Sequence, residues 1–188
     1  MKQNEFVKQI SSDNHVYGCG FFVGPFFLTA GHVIEDMETP SIEVDGKRID
    51  LKDQLGCRND KTADGYDIAV FRIPGVVSPV ELCGEDPCKG MVLESVSYEV
   101  FEEGNRYIEC EAVVGEIREG NYFCADTTAS LKKGSSGSPV FYNGRVAGMM
   151  HAGNNEGGKV KNPLLSLNFC MFLSASAIKE FISQINRS

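Results

Sequence analysis

Apolar residues in this chain recur at alternate positions or in short runs, and turn-forming residues punctuate them at close intervals. From Val16 onward two apolar runs are broken only by Gly24-Pro25, which predicts two strands joined by a tight hairpin and leading directly into Gly31-His32. Alternation on either side of Asp45-Gly46 predicts a second hairpin over 41–51 with one buried face. After a polar loop over 59–65, Asp67-Ile68-Ala69-Val70-Phe71 predicts a strongly apolar strand. Residues 74–90 turn to proline, glycine and acids and read as the connection between two halves, 1–80 and 81–188. The second half predicts strands over 96–101, 107–117 and 122–126, with turns at 102–105 and 118–121. Asn143-Gly144 then joins 139–142 to 145–151 as a hairpin, followed by a loop over 152–162 and a strand over 164–173. Helical spacing is confined to the ends. Phe6, Val7 and Ile10 put an apolar stripe on a short N-terminal helix, and Ile178, Phe181, Ile182 and Ile185 do so on a C-terminal helix capped by Ser174. Many short strands with helices only at the ends predict an all-β fold of closed antiparallel sheets.

Composition narrows the function. The 188 residues are 42% hydrophobic and 23% charged, which is ordinary for a folded domain and excludes wholesale disorder. A net charge of -8 and a pI near 4.9 argue against general phosphate-backbone binding, so no nucleic-acid partner is expected. No run approaches a membrane span, so no membrane partner is expected. Seven cysteines cannot all pair within one chain, and several stand in strand-like contexts, so they read as free, buried thiols of a reducing compartment. Cys83 and Cys88 lack a second pair at zinc-site spacing, and no metal is expected. With Met1 as the natural start, the N-terminus lacks the apolar core of a signal peptide, and a cytoplasmic location follows.

Three positions carry candidate chemistry. In Gly134-Ser135-Ser136-Gly137-Ser138-Pro139, the pattern Gly-x-Ser-Gly-x-Pro fits Ser136 and neither neighbouring serine. Gly134 can adopt a positive φ, so that its N–H and that of Ser136 point together at a developing oxyanion. His32 is one of three histidines and the one that a buried strand delivers to a corner of small residues. Asp67 opens an apolar strand, where its carboxylate needs a partner. Taken singly these are a turn serine, a core histidine and a strand-end acid. Taken together they supply a nucleophile, the base that must deprotonate it and the group that must orient the base. They run in the order His, Asp, Ser, and Ser138 rules out the Gly-x-Ser-x-Gly elbow of the α/β-hydrolases.

On these residues the chain resembles the chymotrypsin-like serine peptidases. Leu28-Thr29-Ala30-Gly31-His32 looks like the family's histidine motif, Asp67-Ile68-Ala69-Val70 its aspartate motif, and Gly134 to Pro139 its serine motif. The likeness runs from about residue 16 to the C-terminal helix. It implies two antiparallel six-stranded β-barrels, the first carrying His32 and Asp67 and the second Ser136. It further implies a serine endopeptidase that acts on protein or peptide substrates through an acyl-enzyme, with Gly134 and Ser136 forming the oxyanion hole and no cofactor. The run Gly-x-Ser-Gly-Ser-Pro-Val-Phe looks most like the glutamyl endopeptidases and the viral chymotrypsin-like peptidases. Ser135 stands where digestive members carry an aspartate, so activation through a newly cut N-terminus is not expected; a requirement for an activating partner stays open. The resemblance assigns the substrate pocket to Ser130, Leu131, Met150, His151 and Gly153.

Relatives that cleave after Glu or Gln carry a histidine in a Gly-x-His-x-Gly pattern. Here Gly148-Met149-Met150-His151-Ala152-Gly153 has one residue more, and an ungapped count from Ser136 puts Met150 at that position. A one-residue shift reverses the side-chain face, so His151 lines the pocket, sits behind the triad near Asp67, or is core. A Glu or Gln preference before the cut bond is the expectation if His151 reads it. The alternative from another class is a catalytically silent barrel that binds peptides or proteins.

Overall fold

The structure, a computed structural model, describes residues 3–13, 15–60, 62–101, 104–153 and 168–187. After one 3-10 turn at Gln3–Phe6, seven strands form the first sheet: β1 (Val7–Ser12), β2 (His15–Val23), β3 (Phe26–Thr29), β4 (Ser41–Val44), β5 (Lys47–Asp50), β6 (Gln54–Asn59) and β7 (Asp67–Arg72). Six more form the second: β8 (Val92–Phe101), β9 (Gly104–Glu119), β10 (Tyr122–Thr127), β11 (Pro139–Tyr142), β12 (Arg145–Gly153) and β13 (Phe169–Ser174). Helix α1 (Gly31–Ile34) follows β3, and α2 (Ala175–Ile185) ends the chain. The fold is all-β and chymotrypsin-like, as expected. The second sheet closes in the order β10-β13-β12-β11-β8-β9, whereas the first has seven strands in the open order β5-β4-β1-β2-β3-β7-β6 rather than a closed barrel of six.

The seventh strand comes from the residues whose spacing suggested an N-terminal helix. Val7 and Ile10 lie in β1, which pairs with β2 and also meets β4 at Ser11 and Ser41. Val7 belongs to the core between the sheets and Ile10 to the core on the other face of the first sheet. Because both faces of β1 are covered, apolar residues three apart are buried on opposite sides, and that imitates helical spacing. Strand β6 was not apparent from Gln54-Leu55-Gly56-Cys57-Arg58-Asn59; as the edge strand it has one partner, β7. The Asp45-Gly46 and Asn143-Gly144 hairpins form as expected, with positive φ at both residues of each turn. Glu102 and Glu103 of the expected turn, most of the loop over 152–162 and the start of the strand at 164 lie outside the described residues.

Three apolar clusters hold these parts. Between the sheets, Phe21, Leu28 and Val70 pack with Phe141, Met149 and Leu173, joined by Ile178 and Phe181 of α2. Inside the barrel, Phe123 stacks on Phe172 at 5.5 Å beside Val140 and Met150. Behind the first sheet lie Ile10, Phe22, Phe27 and Phe71. The Ser174 hydroxyl caps α2 by accepting from the Ala177 N–H at 3.3 Å. All seven cysteines are free thiols; four are buried, Cys57 and Cys110 are half-buried, and Cys88 is exposed, which corrects the expectation of uniform burial. Among the described residues no helix is long and apolar enough to cross a membrane.

Ile10 is fully buried in β1, so Ile10→Ala should cost about 2–5 kcal/mol in a urea titration. A loss within about 0.5 kcal/mol, ordinary for a surface position, would mean that the segment does not pack as a central strand.

Candidate active site

The site is built around one carboxylate. Asp67 opens β7 opposite Asn59 of β6, and its side chain is fully buried. Helix α1 starts immediately after β3, and a Cβ on Gly31 would stand 2.0 Å from the Arg58 carbonyl oxygen of β6, so only glycine fits there. That close approach delivers His32 to Asp67 twice. Its backbone N–H donates to Oδ1 at 2.8 Å, and its ring Nδ1 lies 2.6 Å from Oδ2. A second imidazole arrives from β12, with His151 Nδ1 2.5 Å from the same Oδ2. Burial by itself would raise the Asp67 carboxyl, but the hydrogen bonds from His151 and His32, with the His32 charge, outweigh it and hold the group well below the ordinary carboxylate range. An ionised carboxylate can only accept, so both Nδ1 atoms donate, and in a neutral His32 ring the lone pair is then on Nε2.

Ser136 is held from the other sheet. The Cys19 N–H of β2 donates to the Ser136 carbonyl at 2.8 Å, and the Cys19 thiol donates to the Gly134 carbonyl at 3.0 Å. A Cβ on Gly137 (φ +82°) would lie 2.1 Å from the Cys19 carbonyl oxygen, so the loop approaches β2 as closely as a bare backbone allows. Gly18 separates the Val33 side chain of α1 from the Ser136 carbonyl, both within 3 Å of where its Cβ would be. The residue after His32 therefore packs beside Ser136. The three serines of the loop differ sharply. Ser135 is buried and its hydroxyl donates to the Lys132 carbonyl at 2.6 Å; Ser138 is buried; Ser136 alone is half-buried. Gly134 has φ +100°, and among the described residues the N–H groups of Gly134 and Ser136 meet no acceptor. The loop thus carries two unused donors next to an accessible hydroxyl.

A cavity of about 260 Å³ opens at this serine, walled by Gly134, Leu131, Met150 and Tyr17, with Lys132 and Lys133 beside them. Tyr17 and Cys19, both on β2, are the site residues that sequence reasoning missed; neither stands in a motif. Ser130, His151 and Gly153, expected with Leu131 and Met150 as pocket residues, do not wall the cavity. The reason for His151 is a bulge. Met150 faces Phe172 and Ala152 faces Met171, so His151 is the extra residue in β12, and its side chain is re-aimed at Asp67. Of the three placements that the sequence left open, the second is the observed one.

His32, Asp67 and His151 form the one grouping among the described residues with ligand atoms close enough for a metal ion, all within 4.8 Å. Their N···O separations of 2.6 and 2.5 Å are hydrogen-bond lengths. Tetrahedral ligands around zinc at about 2.0–2.1 Å would stand about 3.3 Å apart. The cluster is therefore built around protons.

A model described as a trypsin-like peptidase domain matches residues 18–149. Among solved structures, the active form of the Rv3671c protease from M. tuberculosis is similar with a TM-score of 0.74 and 18% identity over 97% of this chain and 82% of that one. The scabies mite inactivated protease paralogue S-I1 is similar with a TM-score of 0.74 and 17% identity over 99% and 96%. A human pathogenic astrovirus serine protease gives 0.64 and 18% over 93% and 91%. At these identities the likeness is one of fold, and it does not separate one branch from another. No curated protein sequence matches the chain.

Because the folded Asp67 carboxyl lies below its ordinary value, its contribution to stability is fully present above about pH 4 and is lost as pH falls towards the folded value. Asp67→Asn should therefore lower Tm most near neutrality, with the gap to wild type narrowing below about pH 4. A gap unchanged down to about pH 3 would show that ionisation of Asp67 does not stabilise the fold.

Proposed function

The chain belongs to the trypsin-like peptidase domain family, and on that premise we propose that it is a serine endopeptidase with Ser136 as nucleophile, His32 as general base and Asp67 as the group that orients His32. The observation that carries this reading is the two-point bond from the His32 backbone and ring to buried Asp67, which fixes the ring through Nδ1 and makes Nε2 the nitrogen that acts as base. As the Ser136 Oγ attacks the peptide carbonyl carbon, its proton passes to His32 Nε2 and the carbonyl oxygen becomes an oxyanion. The unused N–H groups of Gly134 and Ser136 supply its donors, each worth about 3–4 kcal/mol in related chemistry. The C–N bond then breaks with the His32 proton going to the leaving amine, and water, deprotonated by His32, releases the acyl group from Ser136.

The cavity beside Ser136 would take the side chain preceding the cut bond. Its walls at Leu131, Met150 and Tyr17 favour an apolar side chain, while Lys132 and Lys133 favour an acidic one. With His151 engaged by Asp67, a Glu or Gln preference would rest on these two exposed ammonium groups alone. The rival reading, a barrel that binds peptides without cutting them, leaves the Asp67–His32 pair only its part in holding the fold.

Cleavage of a diverse peptide library, read by mass spectrometry, tests both levels. Ser136→Ala should lower turnover about 10⁴-fold or more, and activity surviving within about tenfold would overturn the assignment. Cuts after Glu or Gln that disappear in a Lys132→Ala, Lys133→Ala double variant would assign the preference to the lysines. Cuts after Leu, Met or Phe would assign it to the apolar walls.

A further inference from the structure

That mechanism leaves His151 without a task, yet it is bonded to the atom that orients the base. Its Nδ1 lies 2.5 Å from Asp67 Oδ2, the oxygen that His32 Nδ1 reaches at 2.6 Å. The two imidazoles meet edge to face at 5.9 Å, and the His151 ring packs on Tyr122 at 5.0 Å. The β12 bulge supplies the extra residue that aims it there. A histidine that merely filled space would not need a donor directed at a buried carboxylate. We propose that His151 is a positioning residue for Ser136 chemistry, a second imidazole that shares Asp67 Oδ2 with His32, fixes the carboxylate and moderates its hold on the His32 ring.

The inference rests on the triad reading and adds a consequence that the triad alone lacks. A carboxylate that served His32 only would stabilise the His32 imidazolium strongly and keep the base protonated to higher pH. Dividing Oδ2 between two N–H donors weakens that stabilisation. That division extends the working range of the base towards acid.

The other groups around the cluster do not supply this coupling. Cys57 of β6 is pushed up by burial and then by Asp67, and Tyr122 of β10 is pushed up to about 12 by burial and then by Asp67. Asp60, after β6, acts on Tyr122. Glu35, after α1, accepts from Asn59, and the Arg58 guanidinium lies over Tyr66 and Phe181. The β13 partners beside the bulge, Phe172 and Met171, carry no charge.

The test uses the full chain with His151→Leu, which removes the donor, and His151→Asn, which keeps an N–H near the Nδ1 position without the imidazole ring. The first readout is the ¹H NMR spectrum of ring N–H protons and does not depend on turnover. Wild type should give two low-field Nδ1–H signals and each variant one. A single signal in wild type that persists unchanged in His151→Leu would overturn the proposal. The second readout is the rate against pH at which a fluorophosphonate modifies Ser136, forming an O–P bond as fluoride leaves and the serine proton passes to His32. His151→Leu should react about tenfold or more slowly on the plateau, with its acid limb moved to higher pH. His151→Asn should recover the plateau to within about threefold. Equal plateaus and equal acid limbs in wild type and His151→Leu would leave His151 as packing only. If wild type is not modified at all, the triad reading fails, and the NMR arm still decides whether His151 sits on Asp67.

Discussion

The constraint that the rest of the structure answers to is a fully buried carboxylate that takes donors from both sheets' elements. Asp67 has no exposure and an ionised side chain, a combination that is unfavourable unless donors surround it. Three donors do, two from His32 on α1 and one from His151 on β12. Hydrogen bonds to a charged group are worth about 1.5–3 kcal/mol each, so removing one leaves a deficit that the fold would register as well as the site. Because α1 grows out of the first sheet and β12 belongs to the barrel, solvating this one charge also fixes how the two sheets meet.

The opposite exchange occurs at the serine. The loop that carries Ser136 belongs to the barrel, but its carbonyl groups are gripped by Cys19 of the first sheet, and Gly137 is needed because that grip is so close. Each sheet therefore secures a residue of the other: the barrel sends His151 to Asp67, and the first sheet sends Cys19 to Gly134 and Ser136. Between these two attachments the apolar cluster of Phe21, Leu28, Phe141 and Met149 supplies the adhesion. A reaction that needs several groups held within fractions of an ångström is served by anchoring both sides in this way.

What the sequence made legible was what local chemistry determines. Gly24, Asp45-Gly46 and Asn143-Gly144 announce their hairpins because few residues accept the positive φ they adopt. Asp67 and His32 were marked by polar groups delivered on apolar strands, and Gly134 by its place before a serine. Less legible was whatever depends on partners distant in the chain. Val7 and Ile10 looked helical because both faces of β1 are covered, and β6 carries little apolar signal because it is an edge. Cys19 and Tyr17 contribute through their position on β2 rather than through a motif. The direction of His151 depended on a single bulge, which no count along the chain could locate.

A trypsin-like fold alone does not make an enzyme, since an inactivated paralogue from the scabies mite shares this architecture. In this chain a cavity opens at Ser136, and Asp67 holds the backbone and ring of His32 on α1. The most direct measurement is a crystal structure of the protein soaked with a peptide boronate. A bond from Ser136 Oγ to boron, with one boronate oxygen between the Gly134 and Ser136 N–H groups, is the predicted result. An inhibitor bound without that bond, or joined to another residue, would contradict the account.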